Sequence, residues 1–224
     1  MAVGKGEIVK FEIRQWATVA PRFIASLALW ASASTFAADS WKEEVLLHDG
    51  QKMVLERTQT YGGKSEPGQS GPIGEHTINF TPPSAGKSFT WTSPYDHEIG
   101  RTSFFLLAVH VKDQVPYVVV EPNLCMSYNK WGRPNPPYVI FRWQGNAWQR
   151  IGIDELPIEF TTTNVIRSIQ SVQARKWSDM GIVVAEKVAQ INGMAEKIHF
   201  RSILREPMAI ASCPKYSASP KAPD

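Results

Sequence analysis

Little in this sequence points to chemistry, and what is missing narrows the possibilities. There are only two cysteines, Cys125 and Cys213. In an oxidising compartment such a pair reads most simply as one disulfide. The long loop it closes is worth about 4–5 kcal/mol in the chain-entropy model. Charge of one sign is also scarce. The formal net charge is +3 from 24 cations and 21 acids. The first 37 residues hold Lys5, Lys10, Arg14 and Arg22 against Glu7 and Glu12, so the remainder carries 20 cations and 19 acids. A nucleic-acid binder carries a basic stripe, and this nearly neutral body does not.

Catalytic and metal signatures are incomplete. The histidines at 48, 76, 97, 110 and 199 form no H-E-x-x-H spacing. Ser84–Ser88, "SAGKS", has Thr81 where a phosphate loop needs its first glycine, and no helix follows. Ser-x-x-Lys occurs at Ser84/Lys87, Ser127/Lys130 and Ser212/Lys215, without the Ser-Asp-Asn and Lys-Thr-Gly partners of serine acyl-enzymes. Asp96, His97 and Glu98 sit together in "YDHEIGR", but consecutive side chains diverge, which suits a solvated turn. No catalytic residue, metal site or cofactor is assigned. Asn79-Phe-Thr81 fits a glycosylation acceptor, relevant only in a host that glycosylates.

No apolar run reaches the ~20 residues of a membrane span. The longest, Phe23 to Ala38, is rich in small residues, follows a cation-bearing stretch and ends in Thr35-Phe36-Ala37. That is the layout of a secretory signal, expected over 1–37, with the mature chain starting at Ala38 or Asp39. No Cys stands at the cleavage point, so a lipid-anchored form is not expected. The protein is read as periplasmic or secreted, with no permanent membrane span.

The mature part reads as one β-rich domain over 38–210 and a tail over 211–224, stapled at Cys213 and mobile beyond it. Its 43% hydrophobic content across the 224-residue chain suffices for one sizeable core. Strands are expected at Trp41–His48 and Gln51–Thr58 about the tight turn Asp49-Gly50, and at His76–Phe80 and Ser88–Thr92. Ser103–Val111 and Val115–Val120 are near-continuous apolar runs, which suggests the centre of a sheet. Tyr138–Gln144 and Ala147–Ile153 flank Gly145-Asn146, with Gly first as a type II′ turn wants. Only Trp177–Ala195 looks helical, with Ser178 as cap and Gly193 as stop. Phe200–Leu204 reads as a last strand. The fold class is therefore mainly β: antiparallel hairpins in a sandwich or strongly bent sheet, with one C-terminal helix.

Two aromatic features stand out. A two-residue loop at Gly145-Asn146 sets Trp143 opposite Trp148. If that face is buried the pair is core; if it is open, coplanar indoles offer a platform for a sugar ring. The other is Tyr128–Tyr138, "YNKWGRPNPPY". Its prolines at 134, 136 and 137 lack N–H donors and exclude the centre of a sheet. It serves either as a stiff connector or as a pre-ordered surface on which Tyr128, Asn129, Trp131 and Arg133 bind a sugar, peptide or anionic envelope polymer.

The segment Cys125–Ile151, with "WKEEVLLHDG" (Trp41–Gly50) and "ILREP" (Ile203–Pro207), resembles a family of uncharacterised exported proteins from Proteobacteria. The similarity covers about residues 40–207. It implies an exported, strand-rich domain and assigns no activity. The expectation is an exported, non-catalytic β domain binding an envelope or extracellular ligand, with Trp143 and Trp148 added to the loop residues as contacts. The alternatives are a hydrolase using His97, Asp96 or a Ser-x-x-Lys pair, and a purely structural role.

Overall fold

The structure, a computed structural model, describes residues 38–63, 71–83, 85–167, 171–210 and 213–215. The expected signal over 1–37, most of the tail, and Ser84 and Ser212 lie outside the described residues.

Period-two alternation builds the first sheet. β1 (Ala38–Leu46) and β2 (Lys52–Tyr61) bury Trp41, Val45, Met53 and Leu55 on one face and turn Lys42, Lys52 and Glu56 outward. β3 (Ile73–Phe80) and β4 (Phe89–Ser93) continue the antiparallel meander. Two short strands, β5 (Tyr95–Asp96) and β6 (Arg101–Thr102), pair with each other. β7 (Phe104–Lys112) and β8 (Val115–Pro122) form the next hairpin, and α1 (Leu124–Lys130) follows. β9 (Val139–Gln144) and β10 (Ala147–Ile151) complete a second sheet in the order β10-β9-β8-β7. After a long irregular stretch come α2 (Ser171–Asp179), β11 (Ile182–Val183) and α3 (Ala185–Gly193). β11 lies parallel to β1 at the end of the first, five-stranded sheet.

The main core draws on both sheets. Leu55, Ile78, Phe80, Phe89 and Trp91 from the first pack with Phe104, Leu106, Val109, Val118, Val120 and Val139 from the second. The fold is thus the antiparallel sandwich anticipated from the hairpins. The opposite face of the second sheet is covered by Leu156, Phe160 and Ile203 from irregular segments. α2 and α3 bring Ala174, Trp177 and Val188 against Trp41, Ile166 and Val183.

Several local expectations change. The first hairpin is joined by Leu47–Gln51 rather than by two residues, because Leu46 pairs with Lys52. At the last hairpin Gly145 and Asn146 both have positive φ, 64° and 99°. That is type I′, not II′, and Asn tolerates the left-handed position. The expected helix Trp177–Ala195 is two helices. Gly181, at φ 83°, ends α2 by donating its N–H to the Ser178 carbonyl at 3.2 Å. Ser178 therefore lies inside α2 and caps nothing. α3 takes its cap from another element, the Glu44 carboxylate accepting the Ala185 N–H at 3.1 Å. The expected strand at 200–204 is a 3-10 turn, Ile198–Phe200, with a single bridge between Ser202 and Thr162.

β7, expected at a sheet's centre, is an edge strand. Its free edge is occupied by the Asn164 side chain. The amide oxygen accepts the Val109 N–H at 2.9 Å, and the amide nitrogen donates to the Val109 carbonyl at 2.8 Å and to the Leu46 carbonyl at 3.0 Å. One side chain thus imitates a neighbouring strand and joins the two sheets.

The interior also holds a fully buried ion pair, Arg57 to Glu43 at 3.1 Å. Arg57 also donates to the Ile166 carbonyl, and Trp41 Nε1 donates to Glu43 at 3.3 Å. Burial raises the Glu43 pKa, and Arg57 and Trp41 pull it back only in part.

His76 and His110 are buried too, donating Nε2–H to the Phe104 and Thr162 carbonyls at 3.0 and 3.1 Å. Burial, aided by Arg57, pushes the His76 pKa down to about 3, and burial pushes His110 down to about 4. The unfolded chain takes up protons near pH 6.5 that the folded chain refuses, so stability falls as pH drops from about 6.5 toward 4. Each histidine contributes up to about 1.4 kcal/mol per pH unit in that window. Urea unfolding at pH 7 and pH 5 is expected to show this loss. His110→Gln should shrink the pH 7-to-5 difference by roughly half, and an unchanged difference would refute the account.

Candidate functional site

A cavity of about 880 Å³ lies beside the bridge between Cys125 and Cys213. The disulfide expected from the lone pair of cysteines is present, with a Cα separation of 5.2 Å across 88 residues of sequence. Cys125 stands in α1 and Cys213 in the C-terminal part, whose described residues 206–210 and 213–215 serve as a strap.

Two asparagines from the proline-rich stretch hold that strap. Asn135 donates to the Met208 carbonyl at 3.0 Å and accepts the Met208 N–H at 2.9 Å. Asn129 donates to the Pro214 carbonyl at 2.9 Å and to the Cys125 carbonyl at 2.7 Å. Both sides of the strap segment are thus fastened by side-chain amides, with a covalent bond between them in space. Met208, Ala209 and Ile210 form the outer wall of the cavity.

The floor is built from separate elements. Glu121 closes the apolar run of β8, Arg167 ends the irregular segment after β10, and His199 sits in the 3-10 turn. Arg167 Nη2 and Nε reach one Glu121 oxygen at 2.7 and 2.8 Å. Its guanidinium lies over the rings of Phe105 and Phe200, 4.5 and 4.2 Å from their centroids. His199 Nε2 stands 3.6 Å from the other Glu121 oxygen, and its buried Nδ1 has no partner among the described residues. Apart from Lys197, the remaining wall is mostly apolar, with Leu124, Met126 and Ile198 62%, 49% and 46% exposed.

Tyr138 does not line the cavity but braces the turn that carries His199. Its hydroxyl faces the Ser202 carbonyl at 3.1 Å and the His199 carbonyl at 3.3 Å as donor, and accepts the Leu204 N–H at 3.2 Å. Burial pushes its pKa up to about 12, with the Glu121 charge adding to the shift. It remains a neutral structural donor.

Of the six residues expected to contact ligand, only Tyr128 lines this cavity. Tyr128 to Lys130 are helical rather than part of a loop, and the Arg133 guanidinium lies 5.0 Å from the Tyr128 ring centroid. Arg133 also donates to Asn129 at 3.0 Å, orienting the amide that holds Pro214. Trp131 packs on Phe104, with centroids 4.5 Å apart, against the main core. Trp143 and Trp148 are cross-strand neighbours as the register required. Their rings meet edge to face, 5.3 Å apart and inclined at 77°, not as a coplanar platform. Both are half-buried, and Trp148 Nε1 donates to the Thr90 carbonyl at 2.6 Å, tying β10 to β4. Sequence reasoning missed Glu121, Arg167 and His199. The available signal was a lone charge closing an apolar run, in "VVVEP" and in "NVIR".

Of the side chains considered for hydrolysis, those of Ser127, Lys130, Asp96 and His97 are otherwise engaged, while Ser84 and Ser212 lie outside the described residues. Ser127 is fully buried and donates to the Ser103 carbonyl. Lys130 is gripped by Glu98 at 2.8 Å and Asp96 at 2.9 Å, and these bonds, Glu98 first, raise its pKa. A Ser-x-x-Lys base needs the opposite shift. Asp96 and Glu98 converge only on a partner from elsewhere, Lys130 of α1, and His97 between them does not join them. Burial alone would raise the Asp96 pKa, but hydrogen bonds from Lys130, Ser103 and the Ile99 N–H hold it below the usual carboxylate value. His97 leans on Tyr95, with ring centroids 5.0 Å apart. Among the described residues no three His, Cys, Asp or Glu side chains gather to hold a metal ion, and no helix is long and apolar enough to cross a membrane.

Compared with protein-family models, curated proteins and solved structures, this chain matches none.

Replacing Cys125 and Cys213 together by Ser is expected to lower the unfolding free energy by about 2–4 kcal/mol, read from denaturant titration. An unchanged midpoint would mean that the asparagine contacts alone hold the strap.

Proposed function

We propose that this chain is an exported, non-catalytic binding domain whose cavity beside Cys125–Cys213 takes an envelope or extracellular ligand with an apolar body. The observation that carries the reading is the cavity itself: about 880 Å³, with apolar walls around one small polar cluster. Ligand sites combine these features, a volume of roughly 300–1,000 Å³ and a few fixed polar groups on hydrophobic walls. Under this reading Asn129, Arg133 and Asn135 serve the ligand by holding the wall, and Tyr128 touches it.

Export rests on the leader-like layout of 1–37 and on a disulfide that an oxidising compartment favours. Ala38 opens β1, so removing 1–37 takes nothing from the described strands. Membership of the exported proteobacterial family resembled by residues 125–151 belongs to the same proposal. Intact mass of the exported protein is expected to fit a chain beginning at Ala38 or Asp39 with its sulfurs bonded. A mass that still includes Met1–Ala37 would overturn the compartment.

The cavity is tested with a neutral apolar probe, N-phenyl-1-naphthylamine. Its fluorescence should rise on mixing with the protein, and Ala209→Trp, which fills the cavity from the strap side, should weaken binding several-fold. Equal binding by wild type and variant would place the probe elsewhere and remove the support for this site.

A further inference from the structure

We infer that the cavity takes a single-chain carboxylate amphiphile, its head at Arg167 and Lys197 and its chain along the wall of Leu124, Met126 and Ile198. The inference rests on reading the cavity as a ligand site and adds the chemical class of the ligand.

Charge selects the head. The cavity is lined by two permanent cations, Arg167 and Lys197, and one carboxylate, Glu121. Glu121 is engaged by Arg167 Nε and Nη2, and Arg167 Nη1 has no partner among the described residues. Lys197 makes no ion pair among the described residues; its ammonium lies 5.8 Å from the Phe200 ring centroid. One positive charge is therefore left over, carried by the exposed Lys197 at the rim of the apolar cavity, where it attracts an anionic head. A carboxylate brings one negative charge and matches that surplus. A phosphate monoester brings about 1.5 to 2 and does not. A cationic head would add to the surplus.

The walls select the tail. Leu124, Met126 and Ile198 stand 62%, 49% and 46% exposed, clustered at one cavity rather than scattered, and Met208 faces them from the strap. Methionine side chains adapt to an irregular apolar guest, and covering these groups recovers about 25 cal/mol for each Å² removed from water. The segment Ser217–Asp224, "SASPKAPD", is a poor substitute, since it has no large apolar residue.

The test is calorimetric titration of the oxidised mature protein with four dodecyl compounds, each below its micellar concentration. These are dodecanoate, dodecyl phosphate, dodecyl maltoside and dodecyltrimethylammonium. Dodecanoate is expected to bind tightest, by about tenfold or more over the cationic chain. Lys197→Gln, at an exposed rim position, should weaken dodecanoate several-fold and leave dodecyl maltoside unchanged. Arg167→Gln should weaken dodecanoate further, but it strands Glu121, so Lys197→Gln decides between the outcomes if that variant misfolds. Equal affinity for all four heads would overturn the head assignment while leaving the cavity reading intact. Tighter binding of dodecyl phosphate would replace the carboxylate by a phosphate head. If no chain binds and sedimentation shows a dimer that Leu124→Asp dissolves, the face belongs to a second copy, and both readings fall.

Discussion

The fold depends on satisfying the backbone of one buried, irregular stretch. Residues 152–167 leave the second sheet after β10 and form no strand or helix, yet Phe160, Val165 and Ile166 are among the most buried residues. A backbone without a ladder must find other partners, because an unpaired buried carbonyl costs about 1–3 kcal/mol. The partners here are side chains sent from far away. Arg205 donates to the carbonyls of Ile153, Leu156, Pro157 and Phe160. Asn192 donates to those of Thr163 and Val165, and Arg57 to that of Ile166. Each donor fixes a short piece of chain, and together they fix its course.

That course delivers two residues that matter. Asn164 arrives at the open edge of β7 and pairs with it, which leaves no ready template there for another strand. Three residues on, Arg167 arrives between Phe105 and Phe200 and meets Glu121. The buried Glu43–Arg57 pair belongs to the same scheme. Replacing such a pair by apolar residues is often neutral in other proteins. Here Arg57 also holds the Ile166 carbonyl, so the pair positions a segment as well as filling space.

The C-terminal strap follows a similar logic at the surface. Its described residues form no regular structure and are held by a disulfide and by the amides of Asn129 and Asn135. The prolines of the stretch between α1 and β9 restrict its backbone, so Asn135 is presented with little entropy left to lose. What looked in the sequence like either a connector or a contact surface is a connector that holds another segment over a cavity.

Much of the scaffold was legible. Turn signals and apolar runs mark most of the strands, although the apolar pattern across the first hairpin is not a clean alternation. The Gly145-Asn146 turn fixes the Trp143–Trp148 register, and two cysteines allow one pairing. These are local or combinatorial facts, settled by dihedral preference, side-chain period and counting. The misreadings arose where distant residues intervened. Gly181 divides the expected helix in two, because Ile182 and Val183 find a strand partner in β1. β7 reads as central because Asn164 covers an edge that apolar composition cannot reveal. The cavity was illegible for the same reason: Glu121, Arg167, His199 and Met208 are ordinary residues until the irregular segment and the strap bring them together. The sequence by itself determined the strands, the hairpin register and the bridge, since those depend on neighbours in the chain. The tertiary structure alone decided which charges face one another and what they enclose, since electrostatic and apolar contacts act through space and carry no record of sequence distance.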